Sequence, residues 1–256
     1  MTIFVVDAGN TFIKWASVEH DALKNTGRAL RPEDKFQAFA DEVWAAMPAP
    51  ERVVVANVAG QSFGDKLAAW TDKTWQRRSE FVVAQRAAYG VRNAYLEPHK
   101  LGVDRWAAMI AAQRLAEGTV CVVSCGTAIT IDVLTGDGEH QGGLIVPGLA
   151  MMRRALLEGT QGIAQNLAPS GSGGHPALLA RDTQGGVQGG TLYATVAVID
   201  RVVADVGAEL RTAMTCIITG GDAATLLPLL AGRYRHEPDL VLQGLAIIAG
   251  ENTERA

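Results

Sequence analysis

Cysteine is scarce in this chain: three residues, Cys121, Cys125 and Cys216, among 256. A small odd number excludes the disulfide framework that holds small secreted domains together. Two of the three stand in apolar, strand-like runs, so buried free thiols in a reducing compartment are expected. The spacing of Cys121 and Cys125 would suit a zinc ion, but no second ligand pair follows at finger or ribbon spacing. Concentrated charge of one sign is also missing. The net charge is −4, and basic residues come at most in short pairs such as Arg77-Arg78 and Arg153-Arg154. That excludes a general nucleic-acid binder, which needs dense positive charge to hold a phosphate backbone. No apolar run approaches the roughly 20 residues of a membrane helix. The N-terminus runs directly into a strand with no basic segment before it, so no secretory signal is expected and the cytoplasm is the predicted compartment. The five histidines are scattered, form no helical metal pair, and are mostly expected at the solvated surface.

What is present is globular: 48% hydrophobic and 20% charged residues, enough for one large domain or two small ones. A first strand pair is predicted over Ile3–Val6 and Phe12–Val18, then a helix from Glu33 to Met47 with Pro32 at its start. "RVVVANV" and "EFVVAQ" read as strands flanking a helix over Ser62 to Trp75. An irregular stretch, Ala87 to Leu101, leads into a helix from about Asp104 to Glu117. "TVCVVSCGTAITIDVL" and "HQGGLIVPGL" supply further strands, and a helix follows from Met151. The polar segment "APSGSGGHPA" is the predicted mobile loop. A long helix over Val187 to Leu210, the strand "TCIITGGD" and helices in "DAATLLPLLAG" and "DLVLQGLAIIAG" complete the chain. Strands alternate with helices, so the class is α/β with mixed sheets.

The pattern restarts midway. Shifting the chain by 117 residues lays "VVDAGNTFIKW" over "VVSCGTAITID", with Gly9 on Gly126 and Asp7 on Ser124. A repeated strand–turn–strand unit predicts a duplicated domain, dividing near Gly118 into 1–118 and 119–256.

Glycine allows close approach at each turn, and successive N–H groups there form a nest for anions. Thr11, Thr127 and Thr130 add hydroxyls, and Lys14 adds charge. Asp7 stands where a carboxylate would hold Mg²⁺ or its water shell. An ordinary hairpin remains the alternative for the first turn. Thr219-Gly220-Gly221-Asp222 and "GGLIVPG" each open a helix, as anion sites do, although a plain loop explains either equally. "GQSFGDKL" has the wrong spacing for a P-loop, and "SGSGG" follows no strand. Asp104 stands at a helix start, where an N-cap and a functional carboxylate are both open readings. Arg105 beside it opposes the helix dipole, which suggests that it meets another anion.

"DAGNT", "LGVDRW", "CGTAIT", "GGLIVPG" and "TGGD", in this order from Asp7 to about Leu245, resemble the type III pantothenate kinases. That family also holds proteins called Bvg accessory factors. The resemblance implies the acetate and sugar kinase/actin-like fold, two related domains with ATP in the cleft between them. It implies a first phosphate loop of Asp7, Ala8, Gly9, Asn10, Thr11, Phe12, Ile13 and Lys14, with Gly126 and Thr127 contacting ATP from the second hairpin. Asp104 would be the catalytic base, and Gly102, Val103, Asp104 and Arg105 would line the pantothenate site with Tyr95 and Thr183. Mg²⁺ near Asp7 and a homodimer are also implied. The family's usual Asp for a monovalent cation such as K⁺ or NH₄⁺ is Ser124 here. Either Asp132 or another group substitutes, or K⁺ binds weakly, or it is not needed; weaker K⁺ dependence is expected. Two other readings are a regulatory protein keeping the fold to bind a partner, and a kinase for another small hydroxyl substrate. The intact Asp7, Lys14, Asp104, Arg105 and Thr127 favour the enzyme.

Overall fold

The computed structural model describes residues 2–20, 22–165 and 179–254; the predicted loop "APSGSGGHPA" lies outside them. Strands β1 (Ile3–Ala8) and β2 (Phe12–Glu19) pair antiparallel, and β3 (Ala22–Leu30) extends the pair on the far side of β2. β3 is a strand that the sequence reading missed. Its side chains are mostly exposed, so "ALKNTGRAL" carries no apolar alternation to announce it. Helix α1 (Phe36–Val43) is shorter than the predicted 33–47, and its N-cap, Lys35, provides no side-chain cap. Strand β4 (Arg52–Asn57) and helix α2 (Gln61–Trp75) follow as expected, whereas β5 (Ser79–Phe81) uses only the start of its apolar run.

The irregular stretch holds a two-residue ladder, β6 (Ala87–Ala88) with β7 (Val91–Arg92), before helix α3 (Val103–Leu115). Then come β8 (Val120–Cys125), β9 (Ala128–Leu134), β10 (His140–Pro147), α4 (Leu149–Gly159), α5 (Gln161–Gln165) and α6 (Thr183–Leu210). Strand β11 (Thr215–Thr219) leads into α7 (Ala223–Leu226), which passes into a 3-10 turn at Leu227–Leu229, where Pro228 has no N–H to continue an α-helix. The short strand β12 (Tyr234–His236), also missed in the sequence reading, precedes α8 (Leu240–Glu254).

The two five-stranded sheets run β3-β2-β1-β4-β5 and β10-β9-β8-β11-β12. Each strand of the first has its counterpart at the same place in the second. β1, β4 and β8 are almost wholly buried, which explains their unbroken apolar runs. By contacts, the chain divides into two compact units: Met1–Val120 with Asp132–Gly142 and Asp239–Ala256, and Cys121–Ile131 with Gly143–Pro238. Helix α8 therefore packs with the first unit, although it is the last element in the chain.

Trp44 centres the first unit's core, edge-on to Phe4 at 5.2 Å, Phe36 at 5.6 Å and Trp70 at 5.8 Å. The second unit buries Ile129, Ile131, Ile217, Ile218 and all three cysteines, which are free as expected. Burial, reinforced by Asp222, pushes the Cys125 thiol up to about 12, so it stays protonated and inert.

Candidate active site

The first hairpin closes through Gly9 N–H, which donates to Phe12 O at 3.0 Å. A Cβ on Gly9 would lie 2.9 Å from that same oxygen, so the loop needs glycine there. This N–H is spent within the turn, and the exposed tip is left to Asn10 and Thr11. Arg31, just past β3, braces the loop from behind. Its Nε donates to Asn10 O at 2.9 Å and its backbone N–H to Thr11 O at 2.8 Å. The sequence reading missed Arg31, because a lone arginine beyond a polar strand carries no motif.

Asp7 stands one residue before the end of β1, directly across from Lys14 in the β1–β2 register. Asp104 lies in the first turn of α3, and the N-cap is Gly102, so the N-cap reading of Asp104 is corrected. Its Oδ1 accepts from the Arg105 backbone N–H at 2.9 Å. A Cβ on Gly102 would lie 2.7 Å from that Oδ1, so a larger residue there would make the carboxylate shift. The two carboxylates feel each other. Burial first and Asp104 second push Asp7 up to about 7, with Lys14 pulling the other way. Burial likewise raises Asp104, against the pull of Arg105. Two desolvated carboxylates in mutual range favour either a shared proton or a cation.

Arg105 does meet an anion, but an internal one. Its Nε and Nη2 bind Asp132 side-on at 2.9 and 2.6 Å, and its Nη1 donates to the Tyr95 hydroxyl at 2.8 Å. Asp132 also pairs with His140 Nε2 at 3.0 Å. Both oxygens of Asp132 are therefore engaged, which argues against it as a substitute cation ligand. Asp132 is held below the usual carboxylate range by His140 and Arg105, in spite of its burial. His140 is itself buried, unlike the exposed His20, His99 and His236, and so departs from the expected surface role.

In the second unit, the matching turn is tighter: Gly126 N–H donates to Ala128 O at 3.2 Å across a two-residue loop. Two glycine motifs close on it. Gly148, the N-cap of α4, donates to Thr127 O at 3.0 Å, and a Cβ there would stand 2.2 Å from Gly126 O. Gly220, at φ +98°, would put a Cβ 2.3 Å from Cys125 O, which accepts from Asp222 N–H at 3.0 Å. "CGTAIT", "GGLIVPG" and "TGGD" thus form one construction around Thr127. Ser124 stands half-buried on β8, one residue before its end, as Asp7 does on β1. Thr183 opens α6, whose N-cap Asp182 accepts from Gly185 N–H at 2.7 Å. Among the described residues, no three His, Cys, Asp or Glu side chains cluster as a protein-only metal site would require.

Two sheets of one strand order, each with a glycine turn after its first strand, define the sugar kinase/actin-like ATPase fold. Solved structures agree. A 2-dehydro-3-deoxygalactonokinase from Sinorhizobium meliloti superposes with TM-score 0.62 at 17% identity, covering 97% of this chain and 96% of that one. A Baf family transcriptional activator from Campylobacter jejuni gives 0.60 at 19%, covering 98% and 99%. The family model described as type III pantothenate kinase matches residues 3–205. The type III pantothenate kinase of Nitrosococcus oceani is 41% identical over 257 residues, spanning 98% of this chain and 95% of that protein. The chain belongs to the type III pantothenate kinase family.

Proposed function

We propose that this protein transfers the γ-phosphoryl group of ATP to pantothenate, giving 4′-phosphopantothenate and ADP, the first step of coenzyme A biosynthesis. The observation that carries the reading is two desolvated carboxylates in the motif positions of a kinase, Asp7 on the phosphate-loop strand and Asp104 in the first turn of α3, the charge of Asp104 helping to raise Asp7. Asp104 takes the proton of the primary hydroxyl as its oxygen bonds to phosphorus and the bond to the ADP oxygen breaks. The transition state is loose, so holding the groups in line and offsetting charge matter more than base strength. Burial raises Asp104 and makes it a better acceptor late in that step. By their match to the family's motifs, Tyr95, Gly102, Val103, Arg105 and Thr183 are assigned to pantothenate, and Gly9 to Lys14, Gly126 and Thr127 to ATP; within the first unit, Asp132 braces Arg105.

The raised Asp7 fits a divalent cation, whose charge would offset that of the buried carboxylate. Asp7 would hold Mg²⁺ through its water shell, and the ion would supply positive charge against the phosphates. A K⁺ site of the family's kind does not fit, because Ser124 has no carboxylate and Asp132 is committed to Arg105 and His140. We read residues 1–118 and 119–256 as two copies of one ancestral unit, and the matching strand orders support this. We also infer a cytoplasmic homodimer, supported by the exposed apolar side chains of Leu144, Ile145 and Tyr193. Among the described residues, no helix is long and apolar enough to cross a membrane. Purified protein with ATP, Mg²⁺ and pantothenate should yield 4′-phosphopantothenate, detected by mass spectrometry. No product across a range of monovalent cations would defeat the proposal.

A further inference from the structure

We propose that His140 is a positioning residue for the substrate side of the site, acting through Asp132 on Arg105; this rests on the reading of Arg105 and Tyr95 as pantothenate contacts. His140 opens β10 and is only 4% exposed. Its two ring nitrogens have different partners, and these fix the tautomer. Nδ1 receives the Ala94 backbone N–H at 3.4 Å, so it carries no proton. Nε2 carries it instead and donates to Asp132 Oδ1 at 3.0 Å. The same Oδ1 receives Arg105 Nη2 at 2.6 Å, while Oδ2 receives Nε at 2.9 Å.

The carboxylate is thus held against rotation by a donor that Arg105 does not supply, and it presents a fixed side-on face to the guanidinium. Arg105 in turn fixes the Tyr95 hydroxyl at 2.8 Å, and the Tyr95 ring lies nearly parallel to His140, 14° apart with centroids at 6.3 Å. One imidazole therefore touches both arms of the substrate side: the chain just before Tyr95, and the partner of Arg105. Without it, Asp132 loses a hydrogen bond in a buried network, where each member sets the geometry of the next. Arg105 is then free to turn with the carboxylate.

Two substitutions separate the nitrogens. Glutamine reaches the Nε2 position with an N–H donor, whereas asparagine reaches only the Nδ1 position with an acceptor. His140→Asn should raise KM for pantothenate about tenfold, the scale of one hydrogen bond to a charged group, and leave KM for ATP within about twofold. His140→Gln should stay within about twofold of wild type on both. Circular dichroism checks that the variants are folded. An unchanged pantothenate KM in His140→Asn, an equal rise in both KM values, or no recovery in His140→Gln would overturn the proposal. Long-range ¹H–¹⁵N NMR of the wild-type imidazole decides the brace without any turnover. Protonation at Nε2 with a bare Nδ1 upholds it, and the opposite tautomer sinks it. Absence of 4′-phosphopantothenate with wild type would instead defeat the functional reading and leave the NMR result standing.

Discussion

Asp7 is where stability and function oppose each other most clearly. Its carboxyl titrates at about 7 in the folded protein, against an ordinary 3.8. Between these values the native state holds a proton that the unfolded chain has lost, so stability falls as pH rises through that window and levels off above it. The loss is bounded at about 4 kcal/mol. Asp7→Asn should therefore be more stable than wild type at pH 8 and equal to it at pH 4, by urea denaturation, while losing most of its turnover. Equal stability at both pH values would refute the burial of a costly charge. Asp104→Asn should lower kcat by roughly 10²- to 10⁴-fold with the fold intact, the range for a lost general base; unchanged turnover would remove Asp104 from that role. At Ser124 the expected outcome is persistence: activity should survive replacement of K⁺ by a bulky inert cation, and complete dependence on K⁺ would contradict it. All three positions stand in motifs visible in the sequence, although the roles of Asp104 and Ser124 come from the family resemblance. His140 and Arg31 were not, because their importance lies in partners 8 and 21 residues away.

At the scale of elements, glycines decide how close backbones come. Gly148 and Gly220 let α4 and β11 close on the turn at Gly126, and Gly244 of α8 would put a Cβ 1.9 Å from Ala107 O in α3. The obstacle in each case is backbone, which cannot swing aside as a side chain can. Gly148→Ala should thus displace the turn carrying Thr127 and weaken ATP binding, read by calorimetry, with pantothenate binding less affected. An ATP affinity equal to wild type would show that the turn is not held from this side. The strand and helix runs around these glycines were readable from apolar periodicity, as β1, β4, β8 and α2 demonstrate. β3 and β12 were not: an edge strand buries little, so its sequence need not alternate, and only the ladder formed with a neighbour reveals it.

For the whole molecule, the telling element is α8, the last in sequence yet part of the first unit. It buries Leu240, Val241, Leu242, Leu245, Ile248 and Ala249, and Arg52 Nη1 donates to Ala249 O at 2.8 Å. At about 1.5–3 kcal/mol for each large apolar side chain, their burial rivals the whole stability of an ordinary domain. A chain ending at Pro238 should therefore fail to fold its first unit. All five tryptophans lie before Gly118, so a red-shifted emission would report that failure directly, and native emission would disprove it. By itself, the sequence determined the α/β class, the repeated hairpin and the order of the motifs, because these depend on local periodicity and on turns that only glycine makes. The tertiary structure alone decided that Arg105 is met by Asp132, that a buried histidine holds that pair, and that α8 returns to the first unit. Such choices depend on which desolvated groups find partners across long separations, and no local pattern records them.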